Sequence, residues 1–217
     1  DVLSAYCPLG TLLGSDGQPV DISGACSVLQ RWDGTHNLGS VGGHIWREFW
    51  RNVDPLPVES PIKWLTPFDP ADPVNTPAML NVASPLIQTA FADGVKAIQN
   101  SPMAMTAAMG TLQVSGLHDT AIPIFGGEGF EGAFTIASSR PNDLSDGQYN
   151  VNYGNSYIQT VTWDEDGQPR AEGFVTYSQS TDPASPYFSD MTEAYSAKQW
   201  IRFPYRQAEI DADPQLV

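Results

Sequence analysis

Seven prolines fall between positions 55 and 77, at 55, 57, 61, 67, 70, 73 and 77. Each fixes φ and removes a backbone donor, so neither an α-helix nor a central strand can run through this stretch. Regular structure must lie on either side. Residues 54–83 are therefore predicted to form an extended, packed loop carrying the aromatics Trp64 and Phe68.

Before the loop, Ala25, Val28, Leu29 and Trp32 follow the helical i, i+3, i+4, i+7 spacing from Ser23, and Gly34 supplies a stop. Ser40 is placed to cap a second helix with the apolar stripe Ile45, Trp46, Phe49, Trp50 and Val53, ended by Asp54-Pro55. Its Arg47, Glu48 and Arg51 are expected to face outward. After the loop, Ser84-Pro85 joins a cap to a first-turn proline, and Ile87, Ala90, Phe91, Gly94 and Ile98 keep helical spacing to about Asn100. Ser101-Pro102 is expected to open a further Met/Ala-rich helical run that Gly110 weakens.

From 121 onward the pattern becomes that of strands. Residues 121–125 and 130–137 read as strands flanking Gly126-Gly127-Glu128-Gly129, and Tyr157–Trp163 pairs with 171–177 through Asp164-Glu165-Asp166-Gly167. Asp-Gly readily takes the positive φ that a tight turn demands. A short helix over 190–199 follows, then an edge strand through Trp200, Ile201 and Phe203. Residues 1–120 are thus mainly helical and loop, residues 121–217 mainly antiparallel strands, and the fold class is α+β.

An apolar fraction of 41% can supply a substantial core. Ten basic against 25 acidic residues give a net charge of −15 with no Lys/Arg cluster, which argues against nucleic acid or an anionic membrane surface as a partner. No apolar stretch approaches the roughly 18 to 20 residues of a membrane span, and no basic, apolar leader opens the chain, so a soluble, processed polypeptide is expected. The two cysteines, Cys7 and Cys26, each sit beside a turn signal, Pro8-Leu9-Gly10 and Ser23-Gly24. A disulfide between them is expected in an oxidising compartment and would contribute about 3 kcal/mol in the chain-entropy model.

No self-contained catalytic centre is legible. Gly154-Asn155-Ser156-Tyr157-Ile158 departs from a nucleophile elbow at its last position, and Ser156 opens a strand rather than joining a strand to a helix. His36, His44 and His118 show no i, i+4 pairing for a metal; His44 reads as a half-buried packing residue, and His118-Asp119 as a turn. Asp164-Glu165-Asp166-Gly167 is followed by Pro169 and Arg170 where a calcium loop needs more oxygen ligands. Asp69-Pro70-Ala71-Asp72-Pro73 reads as a capped proline turn. The Gly126–Gly129 group reads as a tight turn, since its own glutamate would repel phosphate.

The run Ser178-Gln179-Ser180-Thr181-Asp182-Pro183-Ala184-Ser185-Pro186-Tyr187-Phe188-Ser189-Asp190, with Lys198-Gln199-Trp200 after it, resembles the C-terminal signature of the penicillin acylase family. Gly154 to Gln159 resembles the family's penultimate strand, and Pro123-Ile124-Phe125-Gly126-Gly127 its P-I-H-G-G turn, with Phe125 in place of His. Ala25 to Asp33, Arg47-Glu48-Phe49-Trp50 and Phe68 to Pro77 are similar to segments of the acyl-homoserine-lactone and aculeacin acylase branch.

The resemblance implies that residues 1–217 are the C-terminal portion of a β chain. It further implies a four-layer αββα N-terminal-nucleophile hydrolase fold of antiparallel sheets with flanking helices. The enzyme would be an exported precursor, periplasmic or secreted, cut into an α and a β chain. The partners implied are that α chain, the remainder of the β chain, and a small-molecule N-acyl amide. An N-terminal Ser attacks the amide while its own α-amine serves as base, and no metal or organic cofactor takes part; a structural calcium would sit elsewhere in the enzyme. Asp1 has neither hydroxyl nor thiol, Asp1 to Tyr6 reads as a helix end, and the family's nucleophile and oxyanion residues precede this segment. No catalytic residue is therefore assigned in this chain. Fatty-acyl and β-lactam side chains remain alternative substrates, and a non-catalytic secreted interaction module is the reading from another class.

Overall fold

The computed structural model describes residues 1–57, 61–118, 120–139 and 144–214. In chain order the first elements are α1 (Val2–Tyr6), β1 (Thr11–Leu13), β2 (Pro19–Asp21), α2 (Ser23–Leu29), α3 (Gly43–Val53), β3 (Trp64–Thr66) and β4 (Ala78–Leu80). Then come α4 (Pro85–Gln99), α5 (Met109–Leu112), β5 (Gln113–Ser115), β6 (Ala137–Ser138), β7 (Tyr149–Val151) and β8 (Tyr153–Gly154). The last are β9 (Tyr157–Trp163), β10 (Pro169–Val175), α6 (Asp190–Ser196), β11 (Ile201–Phe203) and α7 (Gln207–Ala212). Helices with mostly antiparallel strands make the chain α+β.

The main core is built where α3 crosses α4. Ile45, Phe49 and Val53 on α3 meet Ile87, Phe91 and Val95 on α4, all buried. Phe49 and Phe91 meet edge to face with centroids 5.5 Å apart, and burying each ring is worth about 1.5–3 kcal/mol. The helices come this close because Gly94 lies at the crossing: a Cβ there would stand 2.6 Å from the Phe49 nitrogen. Tyr6 of α1, Ile22 between β2 and α2, and Leu29 of α2 cover the same core. The Cys7–Cys26 disulfide, with Cα atoms 5.6 Å apart, ties α2 to the start of the chain.

Four sequence expectations are corrected. First, the proline-rich stretch is not loop throughout, because Trp64 pairs with Leu80 and Thr66 with Ala78; prolines 67, 70, 73 and 77 all fall in the connection, outside the paired residues. Second, residues 101–108 are not helical: Ser101 Oγ donates to the Ile98 carbonyl and accepts from the Met103 N–H, a local bonding pattern that competes with a helix. Third, residues 121–125 and 130–137 are largely irregular. Pro123 and Ile136 make only isolated bridges, to Val114 and Gly127, Gly129–Glu131 forms a 3-10 turn closed by Gly132 at φ +77°, and strand pairing resumes at Ala137. Fourth, β5 and β7 are parallel, Gln113 opposite Tyr149, the intervening chain being long enough for the crossover that parallel strands require.

The predicted hairpin is present, but its second strand runs from Pro169 to Val175 rather than over 171–177, because pairing begins directly after the tight turn with Pro169 opposite Trp163. β9 and β10 are antiparallel with Tyr157 opposite Val175, and β11 adds to the far side of β10. Phe174 and Tyr195 anchor this sheet on Ile122, Ile124 and Val151.

Candidate functional site

The chain's densest chemistry lies on the face of α3 expected to meet solvent. His44, Arg47, Glu48 and Arg51 repeat at i, i+3, i+4 and i+7, so they form a second stripe as regular as the apolar one. Arg47 is fully buried and Glu48 nearly so, and His44, expected half-buried, is fully buried as well because it lies on the same covered stripe. The outward placing is thus wrong, because residues 126–131 and β7 pack over this stripe and carry the groups that answer its charges.

Arg47 Nε donates to Glu131 Oε2 at 3.2 Å and Nη2 to the Gly126 carbonyl at 3.4 Å, while its guanidinium carbon lies 4.6 Å from the Tyr149 ring centroid. The Tyr149 hydroxyl donates to Glu48 Oε1 at 2.9 Å, and Arg51 bridges Glu48 at 3.3 Å and Glu128 at 3.6 Å. The Glu128 carboxylate accepts from the Ser139 N–H at 3.2 Å and from the Ser138 hydroxyl. His36 Nε2 stands 3.3 Å from Glu131 Oε1. Glu131 also accepts from the Glu128 N–H and so closes the turn that presents both carboxylates.

Burial dominates the titration of this cluster. It works against the Arg47 guanidinium, but Glu131, Tyr149 and Glu128 outweigh it and hold Arg47 above its usual value. Burial lifts the Glu48 and Glu131 carboxyls, opposed by the neighbouring guanidiniums. It also raises Tyr149 well above the ordinary phenol, helped by Glu48. His36 and His44 are each pushed down to about 4 by burial and by Arg47, so both are neutral at pH 7. The arrangement holds elements together; it presents no activated hydroxyl or thiol.

His36 also borders a cleft of about 320 Å³ with Thr35, Phe125, Phe134 and Lys198. Phe125, where the resemblance places His, stacks on Tyr195 with centroids 4.3 Å apart and lies beneath Lys198.

The other residues singled out from sequence do not converge. His118 Nε2 faces the Phe188 carbonyl at 3.0 Å and Nδ1 faces Ser115 Oγ at 2.6 Å. Donation to the carbonyl puts the proton on Nε2, so Ser115 donates to Nδ1. His118 thereby pins the signature segment to β5; Asp119 lies outside the described residues. Ser156 precedes β9, and its carbonyl accepts from the Thr176 N–H. Ser40 does not cap α3, which starts after Gly42 at φ +117°; its hydroxyl donates to Asp33 Oδ2 at 2.9 Å. Asp69 Oδ1 accepts from the Ala71 N–H, and Asp164 Oδ1 from the Asp166 and Gln168 N–H groups. Those carboxylates are turn closures. Among the described residues no three His, Cys, Asp or Glu side chains are grouped to hold a metal ion.

Glu128, Glu131 and Tyr149 escaped the sequence reading. The second i, i+3, i+4, i+7 stripe on α3 was the available signal, because a charged stripe that regular, opposite an apolar one, marks a helix buried on two sides.

A penicillin amidase family model matches residues 3–212. The chain is 36% identical over 198 residues to acyl-homoserine lactone acylase PvdQ of Pseudomonas fluorescens (strain Pf0-1), covering 89% of this chain and 25% of that protein. It is 34% identical over 207 residues to aculeacin-A acylase of Actinoplanes utahensis, covering 95% of this chain and 25% of that protein. Against PvdQ of Pseudomonas syringae pv. syringae (strain B728a) the identity is 34% over 193 residues, 87% of this chain and 24% of that protein. The chain thus spans about a quarter of the length of these relatives.

Proposed function

The chain belongs to the penicillin amidase family, and from that membership we propose that it is the C-terminal segment of the β chain of an exported amidohydrolase. Its substrates are N-acyl-homoserine lactones or related lipopeptide amides. The observation that carries this reading is similarity at 34–36% identity, over 87–95% of the chain, to enzymes named acyl-homoserine lactone acylase and aculeacin-A acylase.

On this reading the fold is completed to four αββα layers by the α chain and the remainder of the β chain. The nucleophile is an N-terminal Ser on that remainder. Its hydroxyl attacks the amide carbonyl while its α-amine, of unperturbed pKa about 8, takes the proton; that proton passes to the nitrogen as the C–N bond breaks and the amine leaves, and water then hydrolyses the acyl-enzyme ester to release the acid and restore the Ser hydroxyl. Donors outside this chain stabilise the oxyanion. The buried α3 network and the pinned signature segment give the assembly a rigid back wall, and residues 1–217 alone hydrolyse no amide.

The test is release of homoserine lactone from N-acyl-homoserine lactones of several chain lengths, with the complete protein and the isolated chain run side by side. Turnover by the complete protein alone is expected. Robust turnover by the isolated chain, abolished by Ser156→Ala or His118→Ala, would overturn the reading.

A further inference from the structure

Among the described residues the three-stranded sheet ends on β9, which has a hydrogen-bonded neighbour on one side only. Antiparallel strands alternate bonded and non-bonded residue pairs, and two bonds fix the alternation. The Asp164 N–H donates to the Gln168 carbonyl at 2.9 Å, and the Thr176 N–H to the Ser156 carbonyl at 3.2 Å. In this register the pairs at Ile158, Thr160 and Thr162 bond to β10. Tyr157, Gln159, Val161 and Trp163 therefore turn their N–H and C=O groups away from it. Pro169, opposite Trp163, fits this phase because it has no N–H to give.

The same four residues share one face of the sheet. Tyr157, Val161 and Trp163 are 48%, 42% and 69% exposed there, and Ile201 of β11 is 40% exposed. The opposite face is covered at one end, where Ile158 packs against the buried Phe174, and carries the exposed Thr160 and Thr162 at the other. β9 reads Tyr-Ile-Gln-Thr-Val-Thr-Trp, seven residues with no charge, no proline and no bulge. Exposed edges in folded proteins are ordinarily short, charged or broken, because an open one templates pairing with another chain.

The geometry points to β9 as a docking edge, completed by an extended strand from the remainder of the acylase polypeptide that also covers Tyr157, Val161 and Trp163. This inference rests on the acylase reading. Its occupant is argued from length: the chain spans about 25% of its relatives, so most of such an enzyme is available as neighbour. The chemistry required of that strand is alternation of outward backbone groups with apolar side chains on one face.

The experiment is residue-resolved hydrogen–deuterium exchange on the complete acylase. If the edge is paired, the amides of Gln159 and Val161 are slowed by at least about a hundredfold, as Thr160 is through β10. Gln159→Pro removes only an outward N–H, which a bare edge tolerates and a paired one does not; exchange at Val161 should then quicken by at least about tenfold. Gln159 and Val161 exchanging like unstructured amides while Thr160 stays protected would sink the docking edge and leave the acylase reading intact. Protection lost on dilution, with a matching change in native mass, assigns the edge to a second copy and overturns the occupant named. Failure of the complete protein to deacylate any substrate strikes the acylase reading itself, whatever the exchange shows. If Gln159→Pro cannot be recovered folded, the wild-type pattern decides alone.

Discussion

At the scale of single residues, the α3 network sets the largest expected effects. Arg47 answers Glu131 and the Gly126 carbonyl in a fully buried position, so Arg47→Ala leaves carboxylates buried without a counter-charge and should cost about 3–5 kcal/mol. Urea denaturation measures it, and a loss under about 1 kcal/mol would show that water fills the site. Trp50 lies on the apolar stripe yet is only half-buried, so Trp50→Ala should fall below the roughly 3–5 kcal/mol of a fully buried ring. The histidines add a pH dependence of definite sign. His36 and His44 are depressed to about 4 in the folded chain against about 6.5 unfolded, so below about pH 6.5 the unfolded chain binds more protons. Their contribution is complete above about pH 6.5 and is lost as pH falls toward 4, on the order of 3 kcal/mol each. The raised carboxyls of Glu48 and Glu131 act in the opposite sense just above the ordinary carboxylate range and blunt the acid end. His36→Asn should flatten the measured slope between about pH 6.5 and 4; an unchanged slope would mean that His36 titrates normally.

At the scale of elements, Gly94 decides how closely α3 and α4 approach. Gly94→Ala drives a Cβ onto the backbone of Phe49, so the helices must part, at a cost of about 1–3 kcal/mol despite alanine's better helix propensity. A stabilised variant in thermal unfolding would refute the close crossing. Elements whose signal is local were legible: the apolar stripes of α3 and α4, the Ser84-Pro85 start, and the Asp-Gly hairpin all lie where spacing and turn chemistry put them. Partners distant in sequence were not. Arg47 reaches Glu131 across 84 positions and Tyr149 reaches Glu48 across 101, and no window on α3 shows what will cover it. The strand expected at 130–137 failed for a related reason: Glu128 and Glu131 close a turn there to serve α3, and that tertiary demand overrides the strand propensity of Phe134 and Ile136.

At the scale of the whole molecule, 25 acidic residues face 10 basic ones, and six of the basic residues are already committed to carboxylates. Arg47 and Arg51 serve buried carboxylates, while Lys96, Arg170, Arg202 and Arg206 pair at the surface with Asp16, Glu172, Glu209 and Asp164. Two effects of salt then compete: screening weakens the solvent-exposed pairs, and it relieves repulsion summed over a net charge of −15. The repulsion outweighs the pairs, because it acts between all excess carboxylates that lie within a Debye length of one another, about 10 Å at 0.1 M. Raising sodium chloride from about 0.01 to about 0.5 M at pH 7 should therefore raise the Tm of the isolated chain by roughly 2–4 °C, the equivalent of about 1 kcal/mol at this size. Differential scanning fluorimetry at several concentrations reads the sign directly. A Tm that falls with salt would show that the surface pairs outweigh the excess charge, and Arg206→Gln should then reproduce part of that fall at low ionic strength.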